Sequence, residues 1–222
     1  MREKKLLLFT DLEGTLLREE DGQINPEAMH EYLTKLSKLQ ELTGYTVDIH
    51  IVSPMTPKMM FNAMQKIDKF IAQHNLVYPT REGKLNRVRV GTASPECTED
   101  ECEEWDRRIM PMPKGIDRFD NSFGKFKYVD YVMGIYEEQG RVGLAIYAGN
   151  GQNDIEAMKR IKRSENGYVI CPSNSRHTIK EFADFVGKRE DLRGVSEGLE
   201  SIIAELQKTT GEQSGVDDRI IE

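Results

Sequence analysis

The sequence predicts an α/β fold, a doubly wound parallel sheet carrying a small inserted segment, on three observations. Short apolar runs alternate with stretches whose apolar residues recur at helical spacing, the pattern of successive β-α-β units. Turns rich in glycine, hydroxyl and carboxylate side chains follow the apolar runs, where a parallel sheet presents its ligand edge. The alternation breaks only between about Pro79 and Asn121, which reads as an insertion into an otherwise regular domain.

Taken in order, KKLLLFTD is short, apolar and bounded by a polar turn, as a fully buried strand should be. Asn25-Pro26 then supplies a helix cap and a first-turn proline. Met29, Tyr32, Leu33, Leu36, Leu39 and Leu42 follow at helical spacing. YTVDIHIVS is β-branched and partly alternating, a second strand. Thr56-Pro57 opens a helix with Met60, Met64, Ile67 and Ile71 on one face, and Leu76–Tyr78 reads as a short third strand. The irregular middle holds a strand-like RVRVG, the acidic ECTEDECEEWD and the Pro/Gly-rich MPMPKGI. Beyond it come a helix over about Lys125–Gln139, the strand GLAIYAG, a helix over Asn153–Lys162 and the strand GYVICP. Two helices near Ser175–Phe185 and Val195–Gln207 close the chain before a polar tail. The predicted organisation is a core of residues 1–78 and 122–208, an insertion at 79–121 and a tail at 209–222.

A chain of 222 residues suits one domain with a small insertion and can bury a substantial core. The formal charge of -7 argues against broad attraction to nucleic acid or to an anionic membrane. Three cysteines, Cys97, Cys102 and Cys171, make no disulfide framework and point to a reducing cytoplasm. Cys97 and Cys102 have no histidine nearby to complete a zinc site, so they read as free thiols. The apolar run Leu6–Phe9 meets Asp11 at once and is too short for a secretory leader. Nor does any stretch approach the length of a membrane span.

The chemistry sits in the turns. Asp11 follows four apolar residues and precedes Gly14-Thr15, so its carboxylate faces a polar sheet edge and is placed to attack phosphorus. Glu13, two residues on, points the same way in extended chain and suits a general acid and base. Ser53, ending the second strand, offers a hydroxyl and a backbone N–H to a phosphate oxygen, or simply caps a helix. Lys125 suits charge neutralisation on a phosphoryl group. It is preferred to Lys127 because Tyr128, Val129 and Val132 put it in phase with an apolar helical face. In GNGQND, Asn150 and Asp154 are hard oxygen ligands suited to Mg²⁺, and Asn153 is placed to orient Asp11 or the metal shell. Read alone, the same segment is also an ordinary glycine-rich turn with an Asn/Asp cap.

Together, in order and spacing, DLEGTLL, Ser53, Lys125 and GNGQND resemble the four motifs of the haloacid dehalogenase superfamily of phosphohydrolases. The later stretch, with Asn174, Ala183-Asp184 and Gly194-Val195, resembles the C-terminal segment of the Cof-like (type IIB) branch. The resemblance implies a Rossmann-like core and a Mg²⁺-dependent phosphatase working through an aspartyl-phosphate on Asp11. It implies Glu13 as acid/base and Ser53, Lys125 and Asn153 at the phosphate. It also implies a metal held by Asp11, the Glu13 carbonyl, Asn150 and Asp154.

The sequence departs from the family pattern in three places. Glu13 stands where an aspartate is usual, and Asn150, neutral, stands at the first acidic position of the fourth motif. The interval between Ser53 and Lys125 leaves room only for a reduced cap at 79–121, with Trp105 and the acidic cluster. An open site admitting a small or bulky phosphorylated substrate, or one completed by a second subunit of a homo-oligomer, is therefore expected. Two rivals remain: a phosphomutase or phosphotransferase using the same intermediate, and a catalytically impaired binding or regulatory protein.

Overall fold

The computed structural model describes residues 3–53, 57–77, 86–87 and 121–214. The expected cap at 79–121, with Trp105, Cys97 and Cys102, lies outside the described residues apart from Asn86 and Arg87, taken up below, and Asn121, where a helix begins. The side chains of Met60 and Met64 lie outside them as well.

Among the described residues six strands form one sheet: β1 (Lys5–Thr10), β2 (Thr46–Ile51), β3 (Asn86–Arg87), β4 (Val142–Ala148), β5 (Gly167–Cys171) and β6 (Phe185–Val186). Every pairing is parallel, in the order β3-β2-β1-β4-β5-β6. The helices are α1 (Pro26–Thr43), α2 (Pro57–Gln73), α3 (Asn121–Glu138), α4 (Ile155–Lys162), the short α5 (His177–Lys180) and α6 (Asp191–Ser214). A 3-10 turn, Gln152–Asp154, leads into α4.

Because successive strand residues face opposite ways, each apolar strand feeds two cores. Leu6, Leu8, Val47, Ile49, Ile51, Leu144 and Ile146 pack with α1, α2 and α6 on one face. Leu7, Phe9, Ala145, Tyr147, Val169 and Cys171 pack with α3 and α4 on the other. Helices on both faces make this the doubly wound α/β architecture the alternation predicts. The strand order reverses direction between β1 and β4, so the crevice for a ligand lies beyond the C-terminal ends of those two strands.

Local chemistry sets the helix limits. Asn25 caps α1 by accepting from the Ala28 N–H at 3.0 Å, Pro26 fills the first turn, and Gly44 ends the helix at φ 67°. On β2 the residues facing α3 are polar. Asp48 accepts from the Tyr136 hydroxyl at 2.9 Å and pairs with Lys5 at 3.5 Å, while His50 Nδ1 meets the Tyr128 hydroxyl at 3.0 Å. Apolar contacts alone would let α3 slide along the sheet, and these directional bonds fix its register.

Several elements differ from the sequence reading. Asn86–Arg87, inside the span assigned to the insertion, adds β3 to the sheet edge, pairing with His50 and Ile51, and of the strand-like RVRVG only Arg87 lies among the described residues. Leu76 and Val77 form no strand. The helix expected over 175–185 shrinks to His177–Lys180, because Phe185–Val186 pairs with Ile170 and Cys171 as β6. α6 begins at Asp191, before Gly194-Val195, and its helical turns run through Ser214, into the residues read as tail.

Candidate active site

Three sheet ends converge at the crevice. Past the last residue of β1, the Asp11 N–H donates to the Ala148 carbonyl at 2.9 Å, and the Val52 N–H donates to the Thr10 carbonyl at 2.8 Å. The Gly149 N–H reaches the Ile170 carbonyl at 3.2 Å. The ladder thus continues beyond the strands and sets Ser53, Asp11 and Gly149-Asn150 side by side. α3 enters from one face and brings Lys125 beneath them.

Lys125 is fully buried, and its ammonium lies 2.9 Å from Asp11 Oδ1 and 2.7 Å from Asp154 Oδ1. The Leu12 N–H also donates to Asp11 Oδ1, at 2.8 Å. Both contacts fall on one oxygen, so Asp11 Oδ2 makes no hydrogen bond within the described residues. Asp154 is fully buried and saturated: Oδ1 accepts from Lys125 and from the Tyr147 hydroxyl at 2.7 Å, and Oδ2 from the Gly151 N–H at 2.9 Å. Burial raises the Asp11 carboxyl to about 7, the Asp154 charge adds to that, and Lys125 with the Leu12 N–H opposes it. Burial alone would strip the proton from Lys125; the two carboxylates outweigh it and hold the ammonium charged.

The other expected residues ring this cluster. Ser53 is fully buried at the end of β2. Glu13 is exposed in the β1 turn and makes no hydrogen bond to the described residues. Asn153 is half-buried, its Oδ1 lying over the Gly151 backbone. Asn150 is half-buried too, and its carboxamide lies across the β1 turn so closely that a Cβ on Gly14 would come within 2.0 Å of it. Gly14 also adopts φ 66°, so glycine is required there on two grounds. The structure therefore joins Asp11, Lys125 and Asp154 directly and sets Ser53, Asn150 and Asn153 on the adjoining turns. Glu13 stands apart from the cluster.

Among the described residues no three His, Cys, Asp or Glu side chains gather as a metal site. What the crevice offers a cation is a different donor set: Asp11 Oδ2, which has no hydrogen bond among the described residues, the Asn150 side-chain oxygen and the backbone of the turn that Asn150 overlies. The Asp11 and Asn150 side-chain oxygens and the turn carbonyls are hard donors of the kind Mg²⁺ takes, while the Asn150 atom packed against Gly14 is Nδ2, which ligates no cation. Asp154 has both oxygens committed to protein donors.

Two further groups shape the site. Tyr147 reads in sequence as one more apolar strand position, and only its place on the face of β4 that also receives Asp154 gives it a role. Asn174, noted for the family resemblance, ties three turns together. Its Nδ2 donates to the Gly14 carbonyl at 3.1 Å and to Asp191 Oδ1 at 2.9 Å, and its Oδ1 accepts from the Asp191 N–H at 3.0 Å.

No protein-family model matches the chain, and no curated protein matches it. Solved structures are similar to it across most of their length. One is yhjK of Bacillus subtilis, a haloacid dehalogenase-like hydrolase, at 16% identity, covering 90% of each chain with a TM-score of 0.49. A second is a putative subfamily III A hydrolase of that superfamily from Legionella pneumophila, at 15% identity, 91% and 83% coverage and a TM-score of 0.45. A third is the cobalt-bound deoxy-D-mannose-octulosonate 8-phosphate phosphatase of Haemophilus influenzae, at 12% identity, 89% and 88% coverage and a TM-score of 0.45. None of these three is described as Cof-like.

Proposed function

We propose that the protein is a Mg²⁺-dependent phosphatase of the haloacid dehalogenase type, hydrolysing a phosphomonoester through an aspartyl-phosphate on Asp11. One observation carries this reading: a buried lysine pins one oxygen of Asp11 at the strand switch point, and the other makes no hydrogen bond among the described residues. That is the arrangement an in-line attack on phosphorus needs. The order of the four sequence motifs supports it, and so does the closeness of the type IIB C-terminal pattern.

In this reading Asp11 Oδ2 attacks phosphorus and the ester P–O bond breaks. The departing alcohol takes its proton from Glu13. Glu13 then accepts a proton from water as that water attacks the aspartyl-phosphate, releasing orthophosphate and restoring Asp11. Lys125 and Ser53 bind the phosphoryl oxygens, and Asn153 orients the turn beside them. Asp11, Asn150 and the Glu13 carbonyl would hold Mg²⁺, whose contribution is to neutralise charge on the phosphoryl group. Asp154 serves by holding Lys125. The substrate is a phosphorylated molecule, small or bulky, and neither nucleic acid nor a membrane is its partner. The protein works in the cytoplasm, where a homo-oligomer could complete its site.

The test is hydrolysis of an aryl phosphate with and without Mg²⁺, parent against Asp11→Asn. Turnover should need the ion and fall by about three orders of magnitude in the variant. Absence of any Asp11-dependent turnover would overturn the reading. It would favour a phosphate-binding protein without chemistry, the alternative that neutral Asn150 and saturated Asp154 point toward.

A further inference from the structure

We propose that Tyr147 is a positioning residue for the site, holding Asp154 so that Lys125 stays on Asp11 Oδ1. The inference deepens the phosphatase reading and rests on it for its kinetic part.

The geometry is a shared acceptor. The Tyr147 hydroxyl and the Lys125 ammonium both donate to Asp154 Oδ1, each at 2.7 Å, and all three side chains are fully buried. The Gly151 N–H holds the second oxygen at 2.9 Å. Asp154 is therefore gripped from β4, from α3 and from its own turn. Gly149 keeps the approach open, since a Cβ there would lie 2.6 Å from Asp154 Oδ2 and 2.9 Å from the Tyr147 ring.

Lys125 has two competing carboxylates, and its place depends on how firmly each is held. With the phenol present, part of the charge on Oδ1 is already answered and the carboxylate cannot rotate. Without it, Lys125 is the one donor left to Oδ1 among the described residues, and a carboxylate freed on one side can draw the ammonium away from Asp11. Asp11 would then lose the contact that fixes which of its oxygens faces phosphorus. Ground-state binding of the ester, which Ser53 shares with Lys125, should change less than the chemical step.

Tyr147→Phe removes one hydroxyl and keeps the ring, so the fold should survive. In ¹⁵N-lysine-labelled protein, the buried ammonium of Lys125 should give a slowly exchanging signal, assigned by its loss in Lys125→Met. That signal should move or broaden in Tyr147→Phe, and should move no further when Tyr147→Phe is added to Asp154→Asn. In aryl phosphate hydrolysis, kcat should fall about tenfold, the worth of one hydrogen bond, with KM within about twofold. An unchanged ammonium signal overturns the proposal, and so does a kcat within about twofold of the parent. Should the parent show no Asp11-dependent turnover, the phosphatase reading falls and the ammonium signal alone decides the positioning role.

Discussion

At position 149 a side chain as small as alanine has nowhere to go. Its Cβ would meet the Asp154 carboxylate at 2.6 Å and the Tyr147 ring at 2.9 Å, both far closer than contact distance, and both groups are buried and hydrogen-bonded. Gly149→Ala should therefore destabilise the protein by about 1–3 kcal/mol and misplace Lys125, read as a lower urea midpoint and a matching loss of the proposed aryl phosphate hydrolysis. A variant with the parent's midpoint would mean the cluster is looser than the distances state. The same cluster shows what was legible residue by residue. Asp11 announces itself by ending an apolar run, and helical phase separates Lys125, fully buried, from the half-buried Lys127. Tyr147 gives no such signal, since an aromatic residue in an apolar strand is the ordinary filling of a core. Its role exists only because Asp154, seven residues on, returns to the same sheet face.

Elements whose identity comes from local pattern were read well, and those whose identity comes from pairing were not. β1, β2, β4 and β5 are runs of five to seven residues whose apolar content demands burial. β6 is two residues and becomes a strand only by meeting β5, whereas β3 holds Arg87, the first residue of the strand-like RVRVG. The start of α6 was hidden for a similar reason. Asp191 takes φ 49°, unusual outside glycine, and is held there by Asn174 from another turn. Within α3, sequence and structure together single out Gly134. It lies in the helix interior, where glycine is unfavourable, and a Cβ there would meet nothing within 4 Å. Gly134→Ala should raise stability by about 0.5–1 kcal/mol, measured by urea unfolding, without altering kcat. A loss of stability would show that α3 is packed more tightly at that point than its neighbours indicate.

The whole molecule's response to acid should be governed in part by His50, far from any exposed surface. Its ring stacks on Phe9 at 5.0 Å, its Nδ1 meets the Tyr128 hydroxyl, and its Nε2 is buried with no hydrogen-bond partner among the described residues. Burial pulls its pKa down to about 4, against the opposing pull of Asp48. In the unfolded chain a histidine titrates near 6.5, so between about pH 6.5 and pH 4 the unfolded state binds a proton that the folded state refuses. The contribution of neutral His50 is thus fully present above about pH 6.5 and is lost as pH falls through that window. The sign is opposite to that of a histidine stabilised by a carboxylate partner. Other groups also titrate in acid, so the informative quantity is the parent's stability minus that of His50→Gln, which lacks the titration but keeps a polar side chain of similar reach. Measured by urea unfolding, that difference should shrink by about 2 kcal/mol between pH 7 and pH 5. The loss belongs to global unfolding, because β2 lies at the centre of the register that also fixes α3. Protonating His50 therefore strains the strand that carries Ser53 and the helix that carries Lys125 at once. A difference that stays constant over those two pH units would mean that His50 can open to water without unfolding the sheet, and α3 would then have to be anchored by Tyr136 and Asp48 alone.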